Sequence, residues 1–199
     1  DLYDQDIKDA WKLGIAMEPI SKEWLKTNTQ LRKKAEKCID HLEKGGSPSD
    51  RIVAPLYKEI NDGSLRLNDW MEKQSLRLLK QGKSVCVLGG EHSVPLGHMR
   101  ALTTIHPKYS ILHIDAHADL REAYEGFEFS HASIMYNAAK IEAVEKIVLV
   151  GIRDYSEQEA NRIKDSNGRM VAFDDRTIKR KTYEGITWQK MCQDMVAPL

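Results

Sequence analysis

The sequence has few cysteines, no excess of charge of either sign and no long apolar run. Its 3 cysteines are odd in number and widely spaced, so they predict neither a disulfide framework nor a zinc site. Lys+Arg and Asp+Glu are both 30, a balance that creates no overall field to attract nucleic acid or anionic lipid. Every apolar run is shorter than the roughly 20 residues of a membrane span, and the acidic N-terminus is unlike a signal peptide. We therefore expect a cytoplasmic protein without a nucleic-acid or membrane partner.

The length and the hydrophobic pattern predict one domain with two differently built parts. A chain of 199 residues fits a single domain, 1–199, with a substantial core. Residues 1–82 have mainly helical periodicity. From residue 83 onward, short apolar runs alternate with amphipathic segments, which is typical of a parallel sheet covered by helices on both faces.

The helical part predicts three helices. The first extends from Ser21, which can cap it, to Lys44, before a Gly-Gly pair that ends it. The second is expected over 50–61, interrupted near Pro55. The third is expected to begin at Asn68 as its cap and to end at Gly82.

The alternating part predicts four strands and four helices. The expected strands are Val85–Leu88, which would bury Cys86, then Ser110–Ile114, Lys146–Val150 and Met170–Phe173. The expected helices are 95–105, 130–141, one opened by a capping box of Ser156 and Glu159, and 187–196. The adjacent pair Asp174 and Asp175 is interpreted as turn residues.

Metal-binding residue types follow two of the predicted strands. Asp115, His117 and Asp119 alternate after Ser110–Ile114, so their side chains share one face, and His92 follows Val85–Leu88. Parallel sheets bind ligands beyond the carboxyl ends of their strands, and carboxylates with imidazoles suit Mn²⁺, with Zn²⁺ or Fe²⁺ as alternatives. The spacing also allows Asp115 to bridge two ions. The alternative is an Asx turn with a structural histidine.

Four segments in the same order carry a family resemblance: GGEHS, HIDAHADL, YEGFEFSHASIM and VGIRD. Together they resemble the ureohydrolases, the arginase and agmatinase family of manganese enzymes, and most closely its agmatinase branch. The resemblance implies a three-layer α/β/α sandwich that assembles as trimers or hexamers. It also implies that His92 and Asp119 bind one manganese ion, that His117 binds the other, and that Asp115 bridges them.

The resemblance further implies hydrolysis of a guanidino compound, most simply agmatine to putrescine and urea. Water attacks a delocalised guanidinium poorly, and two metal ions overcome this by supplying a bridging hydroxide that attacks the guanidino carbon. The leaving amine then takes a proton through Asp119 or His131. His131 matches the catalytic histidine of the family, with a helix-cap role as the alternative.

Two further residues near the motif have open roles. Arg121 follows the metal motif where arginase-like members have an asparagine, which disfavours arginine as substrate. Arg121 could instead pair with a substrate carboxylate, as in formimidoylglutamate or 4-guanidinobutyrate, or lie on the surface. His113 shares the face of Asp115, either behind the site or, as the favoured interpretation, as a hydrogen-bonded core residue.

The sequence also departs from the family pattern. The family completes its metal site with an Asp-x-Asp pair on a later strand, and no such pair follows here. We therefore expect a fold incomplete at both ends, an internal segment of a longer enzyme, in which two cations lack compensating carboxylates. The 199 residues alone are expected to bind manganese weakly and not to hydrolyse a guanidine. The alternative is a non-catalytic metal-binding or oligomerisation module.

Overall fold

A computed structural model describes residues 6–9, 12 and 14–199, in which helices precede and then alternate with three strands. In chain order the elements are α1 (Lys22–Glu43), α2 (Ala54–Leu79), α3 (Leu96–Ile105), β1 (Tyr109–Ile114), a 3-10 turn (His131–Ser133) that continues as α4 (Ile134–Ala138), β2 (Val144–Val150), α5 (Glu157–Lys164), β3 (Met170–Phe173), α6 (Asp175–Tyr183) and α7 (Trp188–Val196).

The strands form one parallel sheet in the order β1-β2-β3. The central strand β2 is apolar on both faces, as expected for a parallel strand covered on both sides. On one face Leu149 packs in a cluster with Leu96 of α3 and Ile134 of α4. On the opposite face Val148 packs against Met191 of α7. The predicted three-layer α/β/α arrangement is therefore confirmed for the described residues.

The first two helices pack against each other around the buried residues Cys38, Val53, Tyr57 and Ile60. Ser21 caps α1 by accepting a hydrogen bond from the Trp24 amide, as predicted. The two helices predicted over 50–82 are wrong, because α2 is one continuous helix and Pro55 lies in its first turn. Gly63 lies within this helix at a point of close packing, where an added Cβ would lie 2.3 Å from the Leu31 side chain. Tertiary packing thus overrides the helix-breaking tendency of glycine.

The predicted strand Val85–Leu88 is also wrong. Its backbone forms no regular element, and the described part of the chain records no backbone hydrogen bond for residues 84–88. Leu88 is 87% exposed, and Cys86 is exposed rather than buried. An apolar run has the propensity for a strand, but it becomes one only when another strand pairs with it.

The remaining differences concern helix length and one missed helix. The helix predicted over 130–141 is reduced to a 3-10 turn and the short α4. Asp174 is not a simple turn residue, since its carboxylate accepts a hydrogen bond from the Thr177 amide and caps α6. The α6 sequence buries no residue, which explains why its hydrophobic pattern did not reveal it. The capping box of Ser156 and Glu159 at α5 is confirmed.

Across the described residues, none of the helices combines the length and the apolar character required to cross a lipid bilayer.

Candidate metal centre

The loop after β1 is fixed against the loop after β2, at the carboxyl ends of both strands. The Ala116 carbonyl accepts hydrogen bonds from the amides of Arg153 and Asp154 at 2.7 and 3.1 Å. A parallel bridge pairs His117 with Asp154. The candidate ligands that follow β1 therefore stand on an anchored backbone.

Four side chains converge at this edge of the sheet: His92, His113, Asp115 and Asp119, with one potential ligand atom of each within 4.8 Å of the others. His92 Nδ1 lies 2.7 Å from Asp119 Oδ2 and 3.3 Å from Asp115 Oδ2. His113 Nε2 lies 3.7 Å from Asp119 Oδ2 and 3.8 Å from Asp115 Oδ2. We call these four residues the strand-end cluster.

His113 belongs to this cluster, although the sequence favoured a hydrogen-bonded core role. It is buried as expected, but neither ring nitrogen has a hydrogen-bond partner among the described residues. Its ring stacks on that of His92 with centroids 5.2 Å apart. The position of His113, two residues before Asp115 on the same strand face, was the signal that could have placed it in the cluster.

The cluster is electrostatically coupled even without a cation. Burial of the Asp119 carboxyl acts to raise its pKa, but the imidazoles of His113 and His92 outweigh that effect and hold the pKa at about 2. The hydrogen bond to Asp119 raises the pKa of His92, and burial opposes this only in part. Carboxylates and imidazoles thus stabilise each other's charge within this partly buried cluster.

Asp115 presents its two oxygens to different neighbours. Oδ2 faces His92, whereas Oδ1 lies 3.2 Å from His117 Nδ1. Oδ1 also accepts a hydrogen bond from the His117 amide at 2.8 Å, so the Asx turn considered as the alternative is present. The two interpretations are compatible, because a carboxylate has lone pairs for a turn as well as for cations.

The other predicted site residues lie around this cluster rather than within it. His117 is 57% exposed, and its Nε2 is 3.9 Å from Asp154. His131 begins the 3-10 turn, and its Nδ1 lies 3.8 Å from a Glu91 carboxylate oxygen. Arg121 points to Glu159, with its Nε 3.7 Å from the carboxylate, and it also lies over the Tyr124 ring. The roles predicted for these three residues stay predictions.

The strand-end cluster fits a divalent cation by its donor chemistry. It combines two carboxylates with two imidazoles, a set suited to Mn²⁺, Fe²⁺ or Zn²⁺. The unpartnered ring nitrogens of His113 support this interpretation, because buried polar atoms in proteins normally have a partner. A bound cation would provide one for Nε2.

Comparisons with known proteins agree with these features. A family model described as the arginase family matches residues 32–196. An agmatinase of Halalkalibacterium halodurans is 40% identical over 98 residues, which are 49% of this chain and 34% of that protein. An N(1)-aminopropylagmatine ureohydrolase of Thermus thermophilus is 40% identical over 100 residues, 48% of this chain and 33% of the relative.

A solved structure, an arginase from Bacillus cereus, superposes with a TM-score of 0.58 at 19% identity, covering 69% of this chain and 50% of that one. At this identity the likeness supports the fold alone, and it agrees with the three-layer arrangement. The sequence matches span about a third of the length of the two curated relatives.

Proposed function

The chain belongs to the arginase family, and from that premise we propose that the protein is a manganese-dependent ureohydrolase that converts agmatine to putrescine and urea. The observation that carries the proposal is the strand-end cluster, which lies where parallel α/β sheets bind their ligands. Two relatives, each matched over about half of this chain, are an agmatinase and an N(1)-aminopropylagmatine ureohydrolase.

In this proposal His92 and Asp119 would hold one manganese ion, His117 would hold a second, and Asp115 would bridge the two. The opposed directions of the Asp115 oxygens, towards His92 and His117, support the bridging role. The buried Nε2 of His113 supports an added role as a ligand on the Asp119 side. When bound, such ions lower the pKa of a coordinated water and supply a nucleophile for the guanidino carbon at neutral pH.

His131 is the better placed of the two proposed proton carriers. Asp119 is 4% exposed and already accepts a hydrogen bond from His92, so its carboxylate has little contact with solvent. His131 is 58% exposed and lies beside the Glu91 carboxylate. An imidazole with access to solvent can deliver a proton to the leaving amine and recover it between turnovers.

The surroundings of Arg121 support agmatine over a substrate that carries a carboxylate. Its guanidinium is directed to Glu159 and to the Tyr124 ring, so its charge already has partners within the protein. Agmatine has no carboxylate and needs no such cation. Formimidoylglutamate and 4-guanidinobutyrate remain the alternatives that would require Arg121 to turn towards the site.

The test is urea release by the protein that carries this sequence, loaded with manganese and supplied with agmatine. We expect Asp115→Ala to abolish turnover, whereas Asp165→Ala, a control at an exposed carboxylate after α5, should leave it unchanged. Arginine, 4-guanidinobutyrate and formimidoylglutamate complete the panel. Absence of activity on every guanidino compound, with manganese bound, would refute the proposal and favour a non-catalytic module.

Three broader features belong to the same proposal: a single domain over 1–199, a trimeric or hexameric assembly, and a cytoplasmic location. Light scattering coupled to size exclusion measures the assembly directly. A monomer at micromolar concentration would contradict that part of the proposal.

A further inference from the structure

We propose that Glu159 is a positioning residue for the candidate metal ligand Asp119, an inference that rests on the metal-binding role proposed above. Glu159 lies in the first turn of α5 and is 3% exposed. Its Oε1 accepts a hydrogen bond from the Leu120 amide at 3.0 Å. A buried carboxylate from one helix thus holds the residue next to Asp119, 39 positions earlier in the chain.

The backbone of Asp119 needs such support because it is strained. Its φ is +54°, in the left-handed region that non-glycine residues rarely adopt. The Asp119 carbonyl accepts hydrogen bonds from the amides of Met135 and Tyr136 at 3.0 and 3.1 Å. On the other side of the same residue, the Leu120 amide is held by Glu159. These contacts fix the peptide groups that flank Asp119, and the peptide groups set the direction of its carboxylate.

The second oxygen of Glu159 fixes the orientation of the carboxylate itself. Oε2 accepts hydrogen bonds from the amide and the hydroxyl of Ser156, both at 2.8 Å, and Arg121 Nε lies 3.7 Å away. With donors at both oxygens and a cation nearby, the buried charge is compensated. In an ordinary capping box the glutamate serves only its own helix. Here its other oxygen serves the loop that carries Asp119.

This arrangement differs from a plain helix cap in what each contact does. The Ser156 contacts stabilise the start of α5, while the Leu120 contact acts on the metal-site loop. Partners that orient metal ligands typically affect metal affinity about 10–100-fold. Removing the Glu159 carboxylate should therefore weaken manganese binding, and removing the cap alone should not.

The experiment compares Glu159→Ala with Ser156→Ala by calorimetric titration of Mn²⁺ into the protein that carries this sequence, alongside thermal unfolding without metal. We expect both variants to lower the melting temperature, because both damage the start of α5. Glu159→Ala should also weaken manganese binding about 10–100-fold. Ser156→Ala loses the hydroxyl contact but keeps the Ser156 amide on Oε2 and the Leu120 amide on Oε1, so its affinity should remain within about twofold. Glu157→Ala, at an exposed carboxylate on the same turn, is the matched control and should change neither quantity appreciably.

Two further measurements keep the proposal testable if Glu159→Ala does not fold. Glu159→Gln retains one carbonyl oxygen and should recover part of the affinity. Hydrogen exchange at the Leu120 amide should accelerate in the Glu159 variants and not in Ser156→Ala. Unchanged manganese affinity in both Glu159 variants, or an equal loss in Ser156→Ala, would overturn the positioning role. Failure of the unaltered protein to bind manganese would instead refute the proposed function.

Discussion

Two apolar segments, Val85–Leu88 and β1, look alike in the sequence and differ in the structure. Each is short and rich in branched apolar residues, and each is followed by candidate metal ligands. β1 pairs with β2 along its whole length, whereas Val85–Leu88 pairs with no strand among the described residues. The difference shows that a segment with strand propensity forms a strand only when a second strand pairs with it.

The same difference divides the strand-end cluster. His113, Asp115 and Asp119 are carried by the paired strand and its fixed loop. His92 is carried by the segment that lacks strand pairing. The two sides meet through the contact between His92 and Asp119. The side of the candidate centre that carries His113, Asp115 and Asp119 is therefore anchored by backbone hydrogen bonds. The side that carries His92 depends on side-chain contacts.

The largest expected effect is in amide hydrogen exchange. The Ile147 amide of β2 donates to the Arg169 carbonyl at 3.0 Å and is deeply buried, so exchange there should require extensive unfolding and be slowed on the order of 10³-fold or more. The Val87 amide has no backbone acceptor in the described structure and should exchange within about tenfold of its intrinsic rate. NMR exchange measurements distinguish the two, and comparable protection at both amides would remove the contrast.

A matched pair of leucine truncations tests the packing of the two segments. Leu149→Ala removes a fully buried side chain from the core around β2 and should lower the free energy of unfolding by about 2–5 kcal/mol. Leu88→Ala removes an exposed side chain and should change it by less than about 0.5 kcal/mol. Urea denaturation measures both changes. Similar losses from the two variants would indicate that Leu88 is buried in the protein in solution.

Substitution of Asp119 and of His92 compares how much the anchored side and the unpaired side of the cluster contribute to Mn²⁺ affinity. Asp119→Asn removes a buried negative charge and should weaken Mn²⁺ binding by at least about 100-fold, the upper end of what supporting partners cost. His92→Gln removes an imidazole from the side that lacks strand pairing and should weaken Mn²⁺ binding about 10-fold. Calorimetric titration gives both constants, with Asp165→Asn as the control. A larger loss from His92→Gln would show that His92 contributes more to Mn²⁺ affinity than Asp119 does.

The smallest expected effect is a pH dependence in the metal-free chain. The raised pKa of His92 adds stability that is fully present below its ordinary value of about 6.5 and is lost as pH rises through the folded value. The pKa of Asp119, lowered to about 2, adds stability that is present above about 3.9 and is lost as pH falls through about 2. The two contributions therefore coincide between about pH 4 and 6.5.

Urea midpoints measured in EDTA check this window. His92→Gln should lower the midpoint more at pH 5.5 than at pH 8.5, because only the charged imidazole benefits from Asp119. His106→Gln, at an exposed histidine that follows α3, should show no such difference. A loss from His92→Gln that is equal at both values of pH would show that the two groups are not coupled.

Local signals predicted much of the fold. The cap at Ser21, the capping box of Ser156 and Glu159, and the apolar runs of β1, β2 and β3 all appear as expected. The errors lie where distant residues decide the outcome. Gly63 lies inside a helix with Leu31 packed over it, and Val85–Leu88 pairs with none of the strands that the structure describes. The helix α6 was missed because it buries no residue and has Ile178 as its single aliphatic side chain, which is too little to form a helical repeat.

The candidate site shows the same division. Alternation after β1 grouped Asp115 and Asp119, which the structure brings together, with His117, which lies outside the strand-end cluster. His92 was added because it follows the predicted strand Val85–Leu88. The sequence favoured a core role for His113, because a sequence does not show which side chains surround a buried histidine. No pattern in the sequence predicted the hydrogen bond from the Leu120 amide to Glu159, because it joins residues 39 positions apart.

The sequence by itself determined the family, the parallel α/β character and the types of candidate ligand at the end of β1, because these depend on short patterns and on the order of motifs. Only the tertiary structure decided which apolar run became a strand, that His113 lies with His92 beside the two aspartates, and which carboxylate accepts a hydrogen bond from the Leu120 amide. Those outcomes depend on pairing, packing and hydrogen bonding between segments far apart in the chain, and such contacts leave no local pattern in the sequence.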